Sequence, residues 1–558
     1  MVNRVLRLLY REIRGLHQAA YILALFAFAS QMLALVRDRI LAYQFGAGVE
    51  LDMYYAAFRI PDVLFVLFAS VLSVYVLLPF VTQEEAREPG RGSMLLSQVF
   101  TLFLLVYSIV ALVAFITAPF LVATLFPGFM VAQQEVVTLL LRVMLLQPFF
   151  LGLSSLCGVV TQMSHRFVVY AISPLIYNLS IIFGIVTLYP FFGLPGIVYG
   201  VVLGAVGHLA VQIPLVYKNS VSFSLVSQFD WQALRKVTRV ALPRAITLSL
   251  NQILLLLLIS LASIMTVGSV AVFQLAYNLQ SVPLAIIGMS YSVAAFPTLA
   301  SLLAQQKQST FNAYVLTALR HIVFWSVPII VLVIVLRAQI VRVLLGSGSF
   351  GWEDTRLTAA VLAVFILTLV GQAILLLVIR AFYAGGYTRI PLLVTALGAG
   401  SGALSAWFLY QWYITHEAFA LFMTNLFRLS EVTGSEVLML PLGFSVGVII
   451  EVVLLLYFLR STYQLSFYSL GQQCLQACIA ATVGGLSAYS TLVFLVEGVN
   501  QETFIGIFIQ GVSAGIVGVT GVVLTYWILG SRELSEITCS FRARIFKTDV
   551  VAPQQDVL

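Results

Sequence analysis

Apolar residues in this chain come in long unbroken runs rather than in alternation with polar ones. A run of about 20 apolar residues spans the hydrocarbon core of a bilayer as a helix, whereas a half-buried strand alternates with period two. Scanned this way, the sequence predicts about fourteen spanning helices. Their centres fall near Phe26, Leu67, Val106, Phe149, Ile181, Val202, Leu256, Ile287, Val331, Leu367, Ala399, Ile449, Leu486 and Val517. Only helices or closed barrels satisfy their backbone in lipid, and solidly apolar runs select helices. The expected fold class is therefore an all-α polytopic membrane protein.

Composition agrees. The 558 residues are 61% hydrophobic and only 9% charged, against about 45–50% and about 25% in soluble domains. The net charge of +7 is spread over short connections and the two ends, which suits an anionic membrane surface and not nucleic acid. Alternating the spans from an inner N-terminus puts Arg87 and Arg91, Arg235, Lys236 and Arg239, Arg389, Arg460, and Arg532 to Lys547 on the inner side. Lys and Arg mark cytoplasmic connections, so both termini are expected inside. The cytoplasmic exceptions are few: Arg337, Arg342, Arg356 and Arg428 fall outside.

The opening residues read like a signal peptide, with basic residues before an apolar run and Ala27-Phe28-Ala29 as a cleavage-like site. The run continues to Val36 and is long enough to span, so it is expected to stay as the first helix. Before it, Arg4, Arg7, Arg11 and Arg14 recur at helical spacing among apolar residues, which predicts a basic amphipathic helix on the membrane surface over 1–17.

Two stretches repeat faintly. GVELDMYYAAF from Gly48 matches GSVAVFQLAYN from Gly268, and both lead into helices with prolines, Pro61 and Pro79 in one, Pro283 and Pro297 in the other. LPGIVYGVVLG from Leu194 resembles LPLGFSVGVII from Leu440. Six spans repeated in parallel as six more, with two extra, is a transporter layout. The expected divisions are an N-lobe over 18–220, a C-lobe over 235–462, two helices over 470–530 and a cytoplasmic tail over 531–558.

Against this apolar background, charge concentrates in VRDRILAYQFGAGVELDMYYAAFRIPDVL, from Val36. An ionisable residue at mid-bilayer costs about 2.5–3.5 kcal/mol on insertion scales, so it faces protein or water. Asp52 and Arg59 lie seven apart and share a helix face. Pro61 then bends that helix. Cations on an inward face suit an anionic ligand, and a guanidinium fork matches phosphate oxygens. Arg142, Arg244, Arg380 and Glu451 are the other intramembrane charges. The alternative for the opening cluster is snorkelling and local ion pairing, above all for Arg39, Glu50 and Asp62. Arg380 and Arg389 read chiefly as topology signals. Glu451 reads either as a proton or cation site or as a carboxyl paired with a polar neighbour.

No enzyme constellation is visible. The five histidines sit on different elements, no phosphate-binding glycine loop is present, and Cys157, Cys474, Cys478 and Cys539 lack metal-ligand spacing and read as small packing residues. No cofactor is expected, and transport would be secondary or potential-driven.

These residues resemble the MurJ/MviN family of lipid II flippases in the MOP exporter superfamily. The resemblance rests on Arg37-Asp38, Phe45-Gly46-Ala47-Gly48, Asp52 and Phe58-Arg59-Ile60-Pro61. It is extended by RVLLGSGSFGWEDTRLTA from Arg342, AFYAGGYTRIP from Ala381 and LLRVMLLQP from Leu140, and covers about Ser30 to Arg460. It implies fourteen helices in two lobes that work by alternating access. It also implies a cationic cavity for the diphosphate-sugar headgroup of the lipid-linked peptidoglycan precursor and a groove beside the last two helices for the polyprenyl tail. The residues it assigns to substrate are Arg37, Asp52, Arg59 and Arg142, with Arg244 as a compensating cation and Asn278 at a position where the family carries Arg. Gln31, Phe65-Val66, Ala69-Ser70-Val71 and Tyr387 also depart from the family pattern.

The expected function is thus flipping of lipid II across the bacterial cytoplasmic membrane, with the lipid-linked glycan and membrane lipids as partners and cell-wall synthesis proteins as further ones. A flippase for another polyprenyl-diphosphate glycan and a non-transporting scaffold of envelope synthesis are the alternatives. A polyprenyl-dependent glycosyltransferase would need an acidic catalytic loop, which the segment His416–Glu436 does not supply.

Overall fold

The computed structural model describes residues 16–164, 166–218, 223–495 and 503–545. The expected surface helix over 1–17 falls almost wholly outside them, as do the last thirteen positions of the tail. Every regular element among the described residues is a helix. Helical runs are numbered in chain order: α1 Leu16–Phe45, α2 Val49–Arg87, α3 Arg91–Leu125, α4 Val131–Met163, α5 Phe167–Phe192, α6 Leu194–Tyr217, α7 Trp231–Ser263, α8 Ser269–Ala304 and α9 Gln308–Leu344. They continue with α10, the pair Trp352–Leu367 and Leu369–Ala384 bent by 44°, then α11 Arg389–Thr415, α12 Ser435–Tyr463, α13 Leu470–Leu495 and α14 Phe504–Ile528. The last helix is α15, Arg532–Ile545.

Twelve of these are long and apolar enough to cross a membrane, thirteen if the bent pair is one span. The first expected span, centred on Phe26, lies on the 30-residue α1. Each of the fourteen sequence-derived centres falls on its own run from α1 to α14.

Local chemistry explains the irregularities. α2 carries Pro61, breaks after Val71 and resumes at Val74. At the break the hydroxyls of Ser70 and Ser73 donate to the carbonyls of Val66 and Ser70 at 2.5 and 2.9 Å, which competes with the helical ladder. α5 and α8 each contain a five-residue π segment, Gly184–Leu188 and Ala285–Met289, and such bulges bend a helix.

The chain divides into two compact units. One comprises Met1–Leu279, Leu344–Val361 and Thr388–Glu451; the other comprises Gln280–Val343, Leu362–Tyr387 and Val452–Leu558. Within the first, Leu72, Leu77, Leu96, Phe103, Tyr107, Leu156 and Val159 form a buried cluster among α2, α3 and α4, and the Tyr107 hydroxyl donates to the Leu145 carbonyl. Within the second, Val323, Phe324, Ala477, Ala480, Val522 and Tyr526 bring α9, α13 and α14 together. The Tyr526 ring stacks on Phe324 at 4.3 Å, and its hydroxyl donates to the Phe324 carbonyl at 2.8 Å. Large apolar side chains such as Ile116, Phe120, Leu404, Phe408, Ile516 and Trp527 are exposed, as expected of a surface that meets lipid.

Candidate functional site: a polar relay under a closed set of connections

The opening charge cluster is built into one hydrogen-bonded relay. α1 carries Arg37 and Asp38 about two turns before its end; the Arg37 Nε and Nη2 donate to Asp38 Oδ1 at 2.9 and 2.8 Å. The remaining Arg37 nitrogen, Nη1, donates to Asn178 Oδ1 on α5 at 3.2 Å, and Asn178 Nδ2 donates to Ser30 Oγ on α1 at 3.2 Å. Asp38 Oδ2 accepts from Asn278 Nδ2 on α8 at 2.9 Å. Asn278 Oδ1 accepts from Gln274 Nε2, one turn back, at 2.6 Å. Gln274 Oε1 accepts from Arg59 Nη2 on α2 at 2.6 Å, and Arg59 Nε reaches the Tyr55 carbonyl at 3.4 Å.

The direction of this chain is forced. Asp38 can only accept when ionised, so Asn278 must present its NH2 there and its oxygen to Gln274. Gln274 must then turn its own oxygen to Arg59. Two guanidiniums and one carboxylate are joined through neutral amides, and a second carboxyl, Asp62, three residues past Arg59 on α2, interacts electrostatically with both guanidiniums. Arg59 is 5% exposed and Asp38 3%. A buried cation is stable only when its donors are satisfied; here amide and carbonyl oxygens satisfy Arg59. Those are neutral acceptors, which an anionic oxygen outcompetes because charge-assisted bonds are about twice as strong.

Asp52 does a different job from the one its spacing suggested. It shares α2 with Arg59, but its carboxylate leaves the relay and caps α8. Oδ2 accepts from the Gly268 amide at 2.7 Å and Oδ1 from the Ala271 amide at 2.8 Å. A carboxylate on two unpaired amides of a helix start meets both the hydrogen-bond need and the helix dipole. Gly268 has φ +93°, and a Cβ there would run into the Ala47 carbonyl. The two stretches that repeat in the sequence therefore meet, Gly268 against the Ala47 backbone just ahead of the first stretch and the Asp52 side chain on the start of the second.

Other connections join the same place. The Ser349 amide donates to the Tyr43 carbonyl at 2.9 Å, the Thr266 amide to Glu436 Oε1 at 3.0 Å, and Arg356 to the Arg428 carbonyl. Tyr189, at the end of α5, donates to Glu50 at 3.0 Å and sets its ring edge-on to Phe45. The segments between α1 and α2, α7 and α8, α9 and α10, and α11 and α12 thus form one interlocked layer. The charge bias of the sequence predicts that all four lie on one side, the outer one.

The structure brings Arg37, Arg59 and Asn278 into one relay and places Asp52 beside it. The relay as traced does not include Arg142 or Arg244. Arg142 lies on α4 and donates to the Phe115 carbonyl at 3.1 Å, with its guanidinium 4.8 Å from the Phe115 ring centre. Arg244 is half-buried on α7, next to Pro243. Gln274 and Asn178 are functional candidates that sequence reasoning missed. Gln274 stood as a polar residue four before Asn278 in an apolar repeat, which was the available signal; Asn178 had none. Glu451 is buried on α12 and accepts from the Thr395 hydroxyl of α11. Among the described residues no group of three or more His, Cys, Asp or Glu is placed to hold a metal ion.

A helical, many-span chain with a cationic polar relay inside its membrane-embedded core and an interlocked layer of connections above it has the architecture of a multi-pass membrane transporter. Comparison with known proteins makes the class specific. The profile of the family described as "Lipid II flippase MurJ" matches residues 41–515, and the chain belongs to this family. "Probable lipid II flippase MurJ" of Buchnera aphidicola subsp. Acyrthosiphon pisum is 27% identical over 380 residues, 66% of this chain and 73% of that protein. The protein of the same description from Treponema pallidum is 22% identical over 475 residues, 82% of this chain and 84% of its own. A solved "Lipid II flippase MurJ, inward closed conformation" superposes with TM-score 0.71 at 20% identity, covering 91% of this chain and 99% of that one. An inward-facing multidrug resistance MATE family transporter of the MOP superfamily follows at TM-score 0.63 and 15% identity, with 78% and 94% covered. At these identities the structural matches speak for the fold.

Proposed function

We propose that this chain flips lipid II, the lipid-linked peptidoglycan precursor, from the inner to the outer leaflet of the bacterial cytoplasmic membrane. Family membership over residues 41–515 carries the reading; the relay supplies its chemistry. Arg37 and Arg59 offer two forked donors to a diphosphate. The headgroup oxygens take over donors that Gln274 and Asn178 hold in this state.

The proposed cycle is alternating access. In the state described here the interlocked connections close the outer side, with Asp52 as a central cap. Headgroup capture at Arg59 removes Gln274's partner and loosens the amide chain that ties α8 to α1 and α2. Transport is proposed to be secondary or driven by the membrane potential, with both termini cytoplasmic and cell-wall synthesis proteins as partners. Arg142 and Arg244 are proposed to meet the substrate outside the relay.

The test is complementation. A bacterium whose own lipid II flippase is switched off is supplied with this chain, with Arg37→Ala or with Arg59→Ala, at matched membrane levels. Survival with the parent chain and its loss with both variants is the expected result. Survival undiminished in both variants would remove the relay from the mechanism, and no survival with any version would argue against lipid II as substrate.

A further inference from the structure

The family match ends at residue 515, yet α15 beyond it is seated on the second unit by buried charge. Glu533 is 3% exposed. Its Oε2 accepts from Ser531 Oγ at 3.0 Å, and the Gln473 amide of α13, with its nitrogen turned to the carboxylate, donates at 2.7 Å. Arg320 of α9 stands with Nε 3.6 Å from Glu533 Oε1. One turn on, Glu536 Oε2 lies 2.9 Å from His321 Nε2. The His321 ring stacks on Tyr291 at 5.7 Å, and the Tyr291 hydroxyl accepts from Trp325 Nε1 at 3.1 Å. Leu534 and Ile537, each following one of the two carboxylates, rest on the cluster around Phe324 and Tyr526.

Three features make this attachment separable from the fold beneath it. The first is the joint: one residue, Gly530 at φ +61° with open space where a Cβ would be, turns the chain from α14 into α15, with the Gly530 and Ser531 amides donating to the Trp527 and Tyr526 carbonyls at 3.2 and 3.0 Å. The second is the grip. Among the described side chains of α15, Leu534 and Ile537 are the apolar ones packed on the cluster; the rest of the grip is polar, and its Arg320 pair is too long for a hydrogen bond. The third is an incomplete seat. Arg320 Nε and His321 Nδ1 are buried nitrogens with no hydrogen-bond partner. The guanidinium nitrogen takes an oxyanion with more oxygens than a carboxylate has, and the imidazole joins it as a donor when both its nitrogens are protonated.

The position matters as much as the chemistry. α15 starts four residues past the end of the spanning helix α14, which puts its first turn at headgroup depth. α9 has 37 residues, about 55 Å of helix against a core of about 30 Å, so its early residues overhang the core. Tyr and Trp beside Arg and His are the side chains that settle at this boundary.

We propose that Arg320 and His321, with Gln473, form a seat for the phosphate of an anionic lipid headgroup, and that Glu533 and Glu536 of α15 are its displaceable occupants in cis. When headgroup phosphate takes the seat, α15 swings off about Gly530 and lays its apolar face, Leu534 and Ile537, on the bilayer. The strap thereby reports the charge of the surrounding leaflet to the end of the α9, α13 and α14 bundle. This inference is independent of which lipid the chain flips.

The experiment measures strap position in the full-length protein. Cys157→Ala, Cys474→Ser and Cys478→Ser leave Cys539 on α15 as one spin-label site, and Leu475→Cys on α13 adds a second. Distances between the labels are recorded by pulsed electron resonance in vesicles of phosphatidylcholine and in vesicles containing phosphatidylglycerol. One short distance is expected in phosphatidylcholine, with the short population falling several-fold and a longer one rising in phosphatidylglycerol. Inorganic phosphate added to phosphatidylcholine vesicles should leave the short distance in place; if it releases the strap as well, the seat takes phosphate without needing a lipid and the headgroup assignment falls. Glu533→Gln with Glu536→Gln should show the longer distance in both lipids, and Arg320→Gln with His321→Gln should lose the response to lipid charge. A distance distribution in the parent protein that is the same in both vesicles overturns the proposal without reference to any clasp variant.

Discussion

Removing the Asp52 carboxylate tests the interlocked layer directly. In Asp52→Ala the amides of Gly268 and Ala271 lose their acceptors, now at 2.7 and 2.8 Å. A buried donor left unsatisfied costs about 1–3 kcal/mol, and loss of a helix cap costs about 0.5–2 kcal/mol. These overlap, since the cap energy is largely those same bonds, and water entering the vacated space recovers part. A net loss of about 3 kcal/mol is reasonable, and at about 1.4 kcal/mol per tenfold it shifts the closed-to-open ratio by roughly 150-fold. The cost falls on the closed arrangement because the bonds cross from α2 to the start of α8. Ser269 reports it well: it is 2% exposed, and its hydroxyl has no partner, so Ser269→Cys is a small change. Labelling of that thiol by a membrane-impermeant maleimide needs the layer to open, and its rate follows the open population. Asp52→Ala in the Ser269→Cys background should label roughly 150-fold faster, and Asp52→Asn, which keeps one acceptor oxygen, should fall between. A rate within about threefold of the parent, in protein that still elutes and melts like it, would refute the reasoning, because the closing energy must then lie elsewhere.

Two further expectations follow from the same contacts. Gln274→Leu leaves Arg59 without its 2.6 Å acceptor and Asn278 without its donor, so the thermal midpoint in detergent should fall by the equivalent of about 3 kcal/mol; Gln274→Glu, which restores an acceptor for Arg59, should fall less. Gly447→Val forces a side chain into the crossing of α11 and α12, where a Cβ would lie 2.6 Å from the Gly398 carbonyl and 3.0 Å from Gly402 Cα. Overpacking of this kind costs about 1–3 kcal/mol, and an unchanged unfolding midpoint would show that the two helices can separate freely.

What could be read from residue order was whatever the bilayer imposes segment by segment. Each span must be apolar along its whole length because lipid offers its backbone and side chains no polar partner, so the twelve spans found among the described residues, and the bent one at Leu367, were visible. The charged stretch from Val36 stood out because charge is expensive there. Long-range partnership was not legible. Arg59 and Gln274 are 215 residues apart, Arg37 and Asn178 are 141 apart, and Asp52 meets Gly268 across 216. Nothing in a local window specifies such pairs, because amides and backbone donors carry no charge or periodicity to announce them. Spacing put Asp52 and Arg59 on one face and suggested a shared ligand; packing sent the carboxylate to a helix start and left the guanidinium to an amide. Arg142 turns to the Phe115 carbonyl and ring, since a cation's role is set by which helix its own helix crosses. The clasp of α15 by Arg320, His321 and Gln473 likewise exists only because α9, α13 and α14 pack side by side.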